Sequence, residues 1–375
     1  MTKNNRITLF PARQIVFGFM SVFSLALILR NSDIAVEYMS RGLSLCAEKV
    51  IPSLFPFMII SALIVKSGVA EAAGKLLSLP MRFLFGTNPN GACAVILGAV
   101  CGFPVGAASA LGLYDEKKIT RRELEHLLTF SNIPSSAFLI STVGGVIFGS
   151  RRFGVFLYSC TLVTAAIIGI SGNIIYRIKG GEKRPDNLPQ TESSKTYSKK
   201  GDGFVGNFTA IIAASARNML TVCAFVVFFT AFVGCLSVML DAINPSPELS
   251  ALIFGFFELT GGVAASGNCA AGNGAVLAAF IAGWSGLSVH FQIMSLCDGK
   301  GISFKPYFFA KAAHGILNAI ATKLYFVLFR PDFEFFTFSV PTSAPVPVFT
   351  ALKTFSALIF LISVLVYLKH RKTTL

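Results

Sequence analysis

The feature that most constrains this chain is a series of apolar runs that contain no charged residue. The runs cover residues 14–29, 51–65, 83–114, 126–150, 153–176, 218–240, 259–297 and 354–368. Charged residues make up only 13% of the chain, about half the share that a soluble protein needs to wet its surface. Mean hydropathy is +0.69. The sequence therefore predicts an all-α polytopic membrane protein, because helices satisfy their own backbone groups in lipid.

The positive charge of the chain lies beside the apolar runs. The net charge is +14, and its Lys and Arg residues collect near the N-terminus, between residues 177 and 203, and near the C-terminus. This placement follows the positive-inside rule and argues against nucleic acid as a partner. We expect a multi-pass protein of the bacterial cytoplasmic membrane, with an uncleaved first span and a cytoplasmic N-terminus. The side of the C-terminus stays open, with the cytoplasm favoured.

The basic stretch at 177–203 divides the chain into halves of similar size. It is rich in Lys, Pro, Gly and Ser, which is typical of a solvated linker. The predicted domains are an N-terminal membrane half at 1–176, a cytoplasmic linker at 177–203 and a C-terminal membrane half at 204–375.

Two of the apolar runs are too long for a single crossing of a membrane. As helices, residues 83–114 and 259–297 would extend roughly 48 Å and 58 Å, against a hydrocarbon core of about 30 Å. Each run contains a cluster of helix breakers, at Gly102–Gly106 and at Gly283–Ser288. The sequence therefore predicts a broken or re-entrant helix in each half, where the freed backbone groups face protein or a watery cavity.

The two halves also share a short motif. Residues 113–120 read Leu-Tyr-Asp-Glu-Lys-Lys-Ile-Thr, and residues 296–303 read Leu-Cys-Asp-Gly-Lys-Gly-Ile-Ser. With one gap, the break at Gly102 aligns with Gly286. We predict two pseudo-repeated halves, parallel or inverted, an arrangement typical of secondary transporters.

Polar residues inside apolar runs are expensive to bury and are therefore candidate site residues. In the first half, Gly102, Pro104 and Gly106 can expose backbone groups to a ligand, although small residues at this spacing also suit helix packing. Asn132, Ser135 and Ser136 surround Pro134, where a reopening helix would present free amides. Their hydroxyls could instead cap the kinked helix.

The second half contributes four more candidate residues. Glu258 is a lone carboxylate that could bind a coupling cation or a proton, or pair with Arg217 or Lys311. Ser288, His290 and Gln292 alternate with apolar residues, and on a helix Ser288 and Gln292 share one face. A single buried histidine is more often structural than functional, so both interpretations of His290 stay open.

Other chemistry finds little support in the sequence. The eight cysteines form no Cys-x-x-Cys pair and the four histidines lack ligand spacing, so no metal site or other cofactor is expected. No hydrolase motif and no phosphate-binding Gly-x-x-x-x-Gly-Lys-[Ser/Thr] motif occurs, so we expect neither an enzyme nor direct use of ATP.

Four motifs together resemble a known family. Ile51-Pro-Ser-Leu-Phe-Pro-Phe57, the stretches 102–107 and 131–134, and Gly286-Leu-Ser-Val-His-Phe-Gln292 are similar to the sporulation integral membrane protein YlbJ family, within the wider group of nucleoside-recognition (Gate) membrane proteins. The resemblance covers about residues 40–330 and implies two Gate-like halves. The chain departs from the family pattern in one place. The family has a polar residue soon after the Gly-x-Pro-x-Gly-Ala break, whereas Ala108 and Ser109 follow the break here.

The resemblance implies a transporter for a small polar heteroaromatic solute, dipicolinate-like or nucleoside-like, associated with sporulation. The predicted partners are this solute and the lipid bilayer, while a coupling cation and a homo-oligomer stay open. The alternative is a non-transporting membrane scaffold in envelope or spore development. In that case the linker or termini would carry the activity.

Overall fold

The computed structural model describes residues 12–178 and 204–329. Nearly all of the predicted basic linker, the apolar run at 354–368 and both chain termini lie outside the described residues. All regular structure within the described ranges is helical, as predicted.

Nine α-helices, two π-helical segments and one short 3₁₀ helix (Pro89–Gly91) make up the helical structure of the first described range. The α-helices are α1 (Ala12–Arg30), α2 (Ser32–Leu45), α3 (Ile51–Lys66), α4 (Val69–Leu76), α5 (Ser78–Phe83), α6 (Ala92–Cys101), α7 (Val105–Asp115), α8 (Arg121–Phe130) and α9 (Arg151–Ile178). The π-helical segments are Cys46–Val50, which joins α2 to α3, and Phe138–Ile147, which follows α8.

Six α-helices form the second described range. They are α10 (Phe204–Asp241), α11 (Pro247–Phe257), α12 (Leu259–Ser266), α13 (Ala271–Trp284), α14 (Gly286–Leu296) and α15 (Lys305–Phe329).

The described residues contain five helical stretches that are long and apolar enough to cross a membrane. These are Ser32–Lys66, Arg151–Ile178, Phe208–Asp241, Gly272–Leu296 and Lys305–Phe329. This finding confirms the prediction of an all-α, multi-pass membrane protein. The sequence patterns missed the last span, because Lys311 and Lys323 interrupt what would otherwise be a charge-free run.

The first long apolar run folds back on itself, as its breakers predicted. α6 and α7 are joined by Gly102, Phe103 and Pro104, and Gly102 adopts φ +77°, a left-handed conformation that favours glycine. A Cβ added at Gly106 would lie 2.9 Å from the Cα of Gly98, so the two helices touch through their backbones. With 10 and 11 residues, each helix is about 15 Å long and too short to cross the bilayer. We call this pair hairpin A.

A second folded-back pair, which we call hairpin B, consists of α11 and α12 joined at Glu258. A Cβ on Gly262 would overlap the backbone of Gly255, so this pair also closes on two glycines. The sequence patterns did not predict this hairpin. The charged residue Glu258 lies between its two helices. The sequence of the hairpin is therefore split, with α11 in a short apolar stretch and α12 in the run at 259–297.

The run at 259–297 is broken twice. The first break, at residues 267–270, separates hairpin B from α13. The second is the predicted one: Ser285 and Gly286 both adopt φ +78° and interrupt the span Gly272–Leu296 between α13 and α14.

The structure gives the two predicted breaks different forms. Gly102 lies at the tip of a hairpin, whereas Gly286 lies at an interruption within one span. In chain order, a hairpin followed by two helical segments with a break between them occurs twice in the described ranges: hairpin A precedes α8 and Phe138–Ile147, and hairpin B precedes α13 and α14. The proposed alignment of Gly102 with Gly286 therefore pairs unlike elements, and the pseudo-repeat itself stays a prediction.

The close backbone contact in hairpin A generates a stability prediction. A Cβ on Gly106 would overlap the carbonyl oxygen of Ser131 and press on Gly98. We expect Gly106→Ala to lower the free energy of unfolding by about 1–3 kcal/mol, as overpacking does. Thermal unfolding of the detergent-solubilised protein measures this loss. Gly272→Ala, at a position with no atom within 4 Å of the added Cβ, is the control; equal Tm values for the two variants would contradict the prediction.

Candidate functional site

Hairpin A packs across the segment that follows the end of α8. Gly98 and Gly106 enclose the carbonyl group of Ser131, and the backbone N–H of Phe103 donates to the carbonyl of Ile133 at 3.0 Å. Gly102 packs against the backbone of Ser135. We call this contact the first crossing. It brings together the predicted residues of hairpin A and those around Pro134.

Two polar side chains at the first crossing have unpaired atoms. Asn132 uses its amide N–H to cap the carbonyl of Leu128 at 3.0 Å, but its Oδ1 is buried and accepts no hydrogen bond among the described residues. The Oγ of Ser131 is also buried and unpaired. Because a buried polar atom without a partner is costly, these two oxygens are the atoms most available to a ligand.

The two predicted serines beyond Pro134 differ from Asn132. The Oγ of Ser135 accepts the backbone N–H of Phe138 at 3.2 Å, which is a local cap of the reopening helix. Ser136 is half-buried, and its side chain makes no hydrogen bond to the described residues. A helix does reopen after Pro134, as predicted.

Hairpin B crosses the interruption between α13 and α14 in a similar manner. A Cβ on Gly286 would lie 2.9 Å from the N atom of Leu259 and 3.1 Å from the Cα of Glu258. The indole N–H of Trp284 donates to the carbonyl of Phe256 at 3.1 Å. We call this contact the second crossing.

The carboxylate of Glu258 caps α12. Its two oxygens accept the backbone N–H groups of Thr260 at 2.9 Å and Gly261 at 2.6 Å, where the helix N-terminus stabilises negative charge. From the sequence, Arg217 and Lys311 were possible ion-pair partners of Glu258. Neither forms an ion pair with Glu258 in the described structure; Lys311 bonds to the carbonyl of Asn132 instead.

The three polar residues of α14 are buried. Ser288 and Gln292 share one face and are joined by a hydrogen bond of 3.3 Å, as their spacing predicted. Nδ1 of His290 shares a hydrogen bond of 2.9 Å with the hydroxyl of Tyr307, while its Nε2 is buried without a partner in the described ranges. The ring of Trp284 packs edge-on against His290, with centroids 4.4 Å apart.

One face of α15 carries a stripe of buried polar residues that the sequence patterns did not predict. Lys311, His314, Asn318 and Thr322 are all fully buried and follow one another at steps of three and four residues. This spacing places them on one face of the helix. The spacing of these polar residues could have revealed them. They were overlooked because Lys311 and Lys323 exclude this stretch from the charge-free runs.

The stripe bonds to α9. Nε2 of His314 lies 3.2 Å from the carbonyl oxygen of Thr161, and Asn318 donates to the hydroxyl of Thr161 at 3.2 Å. The hydroxyl of Thr164 donates to Oδ1 of Asn318 at 2.5 Å. These bonds hold α15 in a fixed rotation, so that Lys311 faces the first crossing.

Lys311 links the two halves of the candidate site. Its ammonium donates to the backbone carbonyl of Asn132 at 2.9 Å and lies 3.5 Å from Nδ1 of His314. Tyr307, one turn earlier on α15, bonds to His290. The candidate site is therefore the set Asn132, Lys311, Tyr307 and His290, in which Lys311 and Tyr307 lie one turn apart on α15 and each bonds to one of the other two.

Not every predicted residue belongs to this set. Gly102, Pro104, Gly106, Asn132 and Ser135 lie at the first crossing, and Glu258 lies at the second. Ser288 and Gln292 bond to each other, and neither bonds to the first crossing within the described residues. No three His, Cys, Asp or Glu residues in the described ranges are grouped to hold a metal ion.

These features define the class: a multi-pass helical membrane protein with short hairpins that cross interrupted helices in its interior. No protein-family model and no solved structure matches the chain. The chain is 26% identical to the sporulation integral membrane protein YlbJ of Bacillus subtilis (strain 168), over 81% of this chain and 80% of the relative. This similarity agrees with the resemblance to the sporulation integral membrane protein YlbJ family that the four sequence motifs carry.

The capping role of Glu258 can be tested by mutation. We expect Glu258→Ala to lower the free energy of unfolding by about 0.5–2 kcal/mol, because two N–H groups of α12 lose their acceptors. Glu258→Gln, which keeps one acceptor oxygen, should lose less. Thermal unfolding in detergent measures both, with the exposed Glu116→Ala as the control. A Glu258→Ala variant as stable as the parent would show that the cap contributes nothing.

Proposed function

We propose that this chain is a membrane transporter for a small polar heteroaromatic solute. The observation that carries the proposal is the pair of crossings, where a short hairpin meets an interrupted helix and leaves polar atoms unpaired. Interrupted helices are tolerated at membrane depth only where protein or an aqueous cavity surrounds them. Secondary transporters bind solutes at such interruptions.

The chemistry of the candidate site favours a solute with a carboxylate group. Lys311 is fully buried, and no Asp or Glu of the described residues forms an ion pair with it. A buried ammonium without a counter-ion is unfavourable, and a bound carboxylate would supply that counter-ion. A dipicolinate-like solute therefore fits better than an uncharged nucleoside.

The remaining groups suit a planar ring that carries acceptors and donors. Oδ1 of Asn132 and Nε2 of His290 are unpaired, and aromatic rings of Trp284, Tyr307 and Phe308 surround His290. Rings of this kind stack on or pack edge-on against heteroaromatic solutes. In this proposal Gly102, Pro104 and Gly106 shape the backbone around the solute, and Ser288 and Gln292 support His290.

The relative supports the biological setting. It is named a sporulation integral membrane protein, which agrees with a membrane role in spore development. Within the proposal, the chain lies in the bacterial cytoplasmic membrane, and the basic stretch at 177–203 faces the cytoplasm.

Solute binding to the purified, detergent-solubilised chain tests the proposal. We expect dipicolinate to raise Tm, because a ligand that binds only the folded state stabilises it by about 2.7 kcal/mol at 100 times its Kd. A panel of nucleosides should stabilise the chain less. Asn132→Ala, His290→Ala and Lys311→Met should weaken the stabilisation, and Lys323→Met, an exposed lysine of the same helix, should leave it unchanged.

The same assay separates the alternatives. Stabilisation by nucleosides alone would keep the transporter class and overturn the carboxylate preference. If no solute of either type stabilises the chain, deletion of residues 180–200 tests the scaffold alternative. Loss of the sporulation phenotype in that deletion, with the membrane halves still expressed, would favour a scaffold.

A further inference from the structure

The end of α8 has the composition of a cation-binding site. The last carbonyls of a helix carry partial negative charge, and here the chain leaves the helix with the carbonyl of Asn132 directed at Lys311. The buried, unpaired oxygens of Ser131 and Asn132 lie on the same segment. In transporters with interrupted helices, backbone carbonyls of this type bind the coupling cation.

The ammonium group of Lys311 occupies this position. It reaches the Asn132 carbonyl at 2.9 Å from a helix whose rotation is fixed by the bonds of His314 and Asn318 to α9. Lys311 therefore places a cation that is attached to the protein at the carbonyl of Asn132.

No negative side chain around Lys311 neutralises it in the described structure. α13 has no ionisable residue, α9 contributes Cys160 near Asn318, and α14 contributes His290. The acids of α8 are engaged near its N-terminus, Glu123 with Asn88 and Thr120, and Glu125 with Arg121 and Ser303. His126 of α8 bonds to the carbonyl of Phe85. On α15 itself, Tyr307 and His314 are the nearest ionisable groups.

We propose that Lys311 carries the coupling cation of transport, which is a proton, in place of a bound metal ion. The inference rests on the proposed function, since it assigns the energy source of that same site. The desolvation cost of a lone ammonium is removed either by a negative solute beside it or by loss of its proton. Solute and proton therefore stabilise each other at this site and are carried together.

The proton balance of one cycle is simple. On the loading side, the amine of Lys311 takes a proton from water and forms an N–H bond, and the carboxylate solute binds beside the ammonium. On the release side, the solute leaves, the N–H bond breaks and the proton passes to water. The uncharged amine then returns through the apolar interior without a counter-ion. One proton crosses with each solute, and no redox step occurs.

Transport by the full chain in liposomes tests this inference. With the membrane potential held at zero, a difference of one pH unit should drive up to about tenfold accumulation of radiolabelled dipicolinate on the alkaline side, since one pH unit is worth a factor of ten per coupled proton. A sodium gradient should drive none. A pH-sensitive dye inside the liposomes should report proton entry with dipicolinate, and protein-free liposomes correct for leakage.

Two substitutions of Lys311 separate charge from proton transfer. Lys311→Arg keeps a permanent positive charge. The Lys311→Arg variant should still exchange internal for external dipicolinate, because exchange needs only the loaded site to move between the two sides. It should no longer accumulate dipicolinate in response to the pH difference. Lys311→Met should lose both. Lys323→Met is the matched control and should behave as the parent, and size-exclusion chromatography checks that each variant is folded.

The outcomes distinguish the two proposals. If the parent chain exchanges dipicolinate but accumulates it only with a sodium gradient, the inference is wrong and the transporter stands. Proton-driven accumulation that survives in Lys311→Arg or Lys311→Met would also overturn it. No exchange of dipicolinate or of nucleosides would overturn the proposed function, and the inference with it.

Discussion

The architecture depends on the rule that backbone N–H and C=O groups at membrane depth must find partners inside the protein. Each interruption of a helix releases several such groups. Within the described residues, hairpins A and B each pack over one interruption: the backbone N–H of Phe103 donates to the carbonyl of Ile133 at the first crossing, and the indole N–H of Trp284 donates to the carbonyl of Phe256 at the second. Glycine pairs allow these contacts, because without side chains the backbones of the hairpins approach closely. The polar segments thus lie inside the protein and away from lipid.

The same rule explains why α15 is central to the candidate site. Its stripe of Lys311, His314 and Asn318 supplies partners for the carbonyl of Asn132 and for α9. One helix therefore completes the first crossing and, through Tyr307, contacts His290 of α14. Within this network, the described side chains leave the positive charge of Lys311 without a counter-ion. The proposed preference for a carboxylate solute and the inferred proton coupling both rest on this charge.

Much of the candidate site was visible in the sequence. The conformational properties of Gly102, Pro104 and Gly106 predicted a break in the helix. Asn132 was a candidate because it is a polar residue two positions before Pro134. Hairpin B and the place of Lys311 in the site were not predicted. Hairpin B is hidden because its charged residue, Glu258, divides the apolar pattern, although two backbone N–H groups of α12 stabilise that charge locally. Lys311 was considered only as a partner of Glu258, because the charge-free runs exclude every lysine.

The sequence by itself determined the class of fold and the positions of two interruptions, because length, charge and helix-breaking residues act locally and can be counted along the chain. Four short motifs in it also indicated a resemblance to a known family. Only the tertiary structure decided that Gly102 turns a hairpin while Gly286 interrupts a span, and that Glu258 caps a helix instead of pairing with Lys311. The form of each break depends on contacts between segments that are distant in the chain, such as Phe103 with Ile133 and Gly286 with Leu259, and burial and charge pairing are fixed only when the chain has folded.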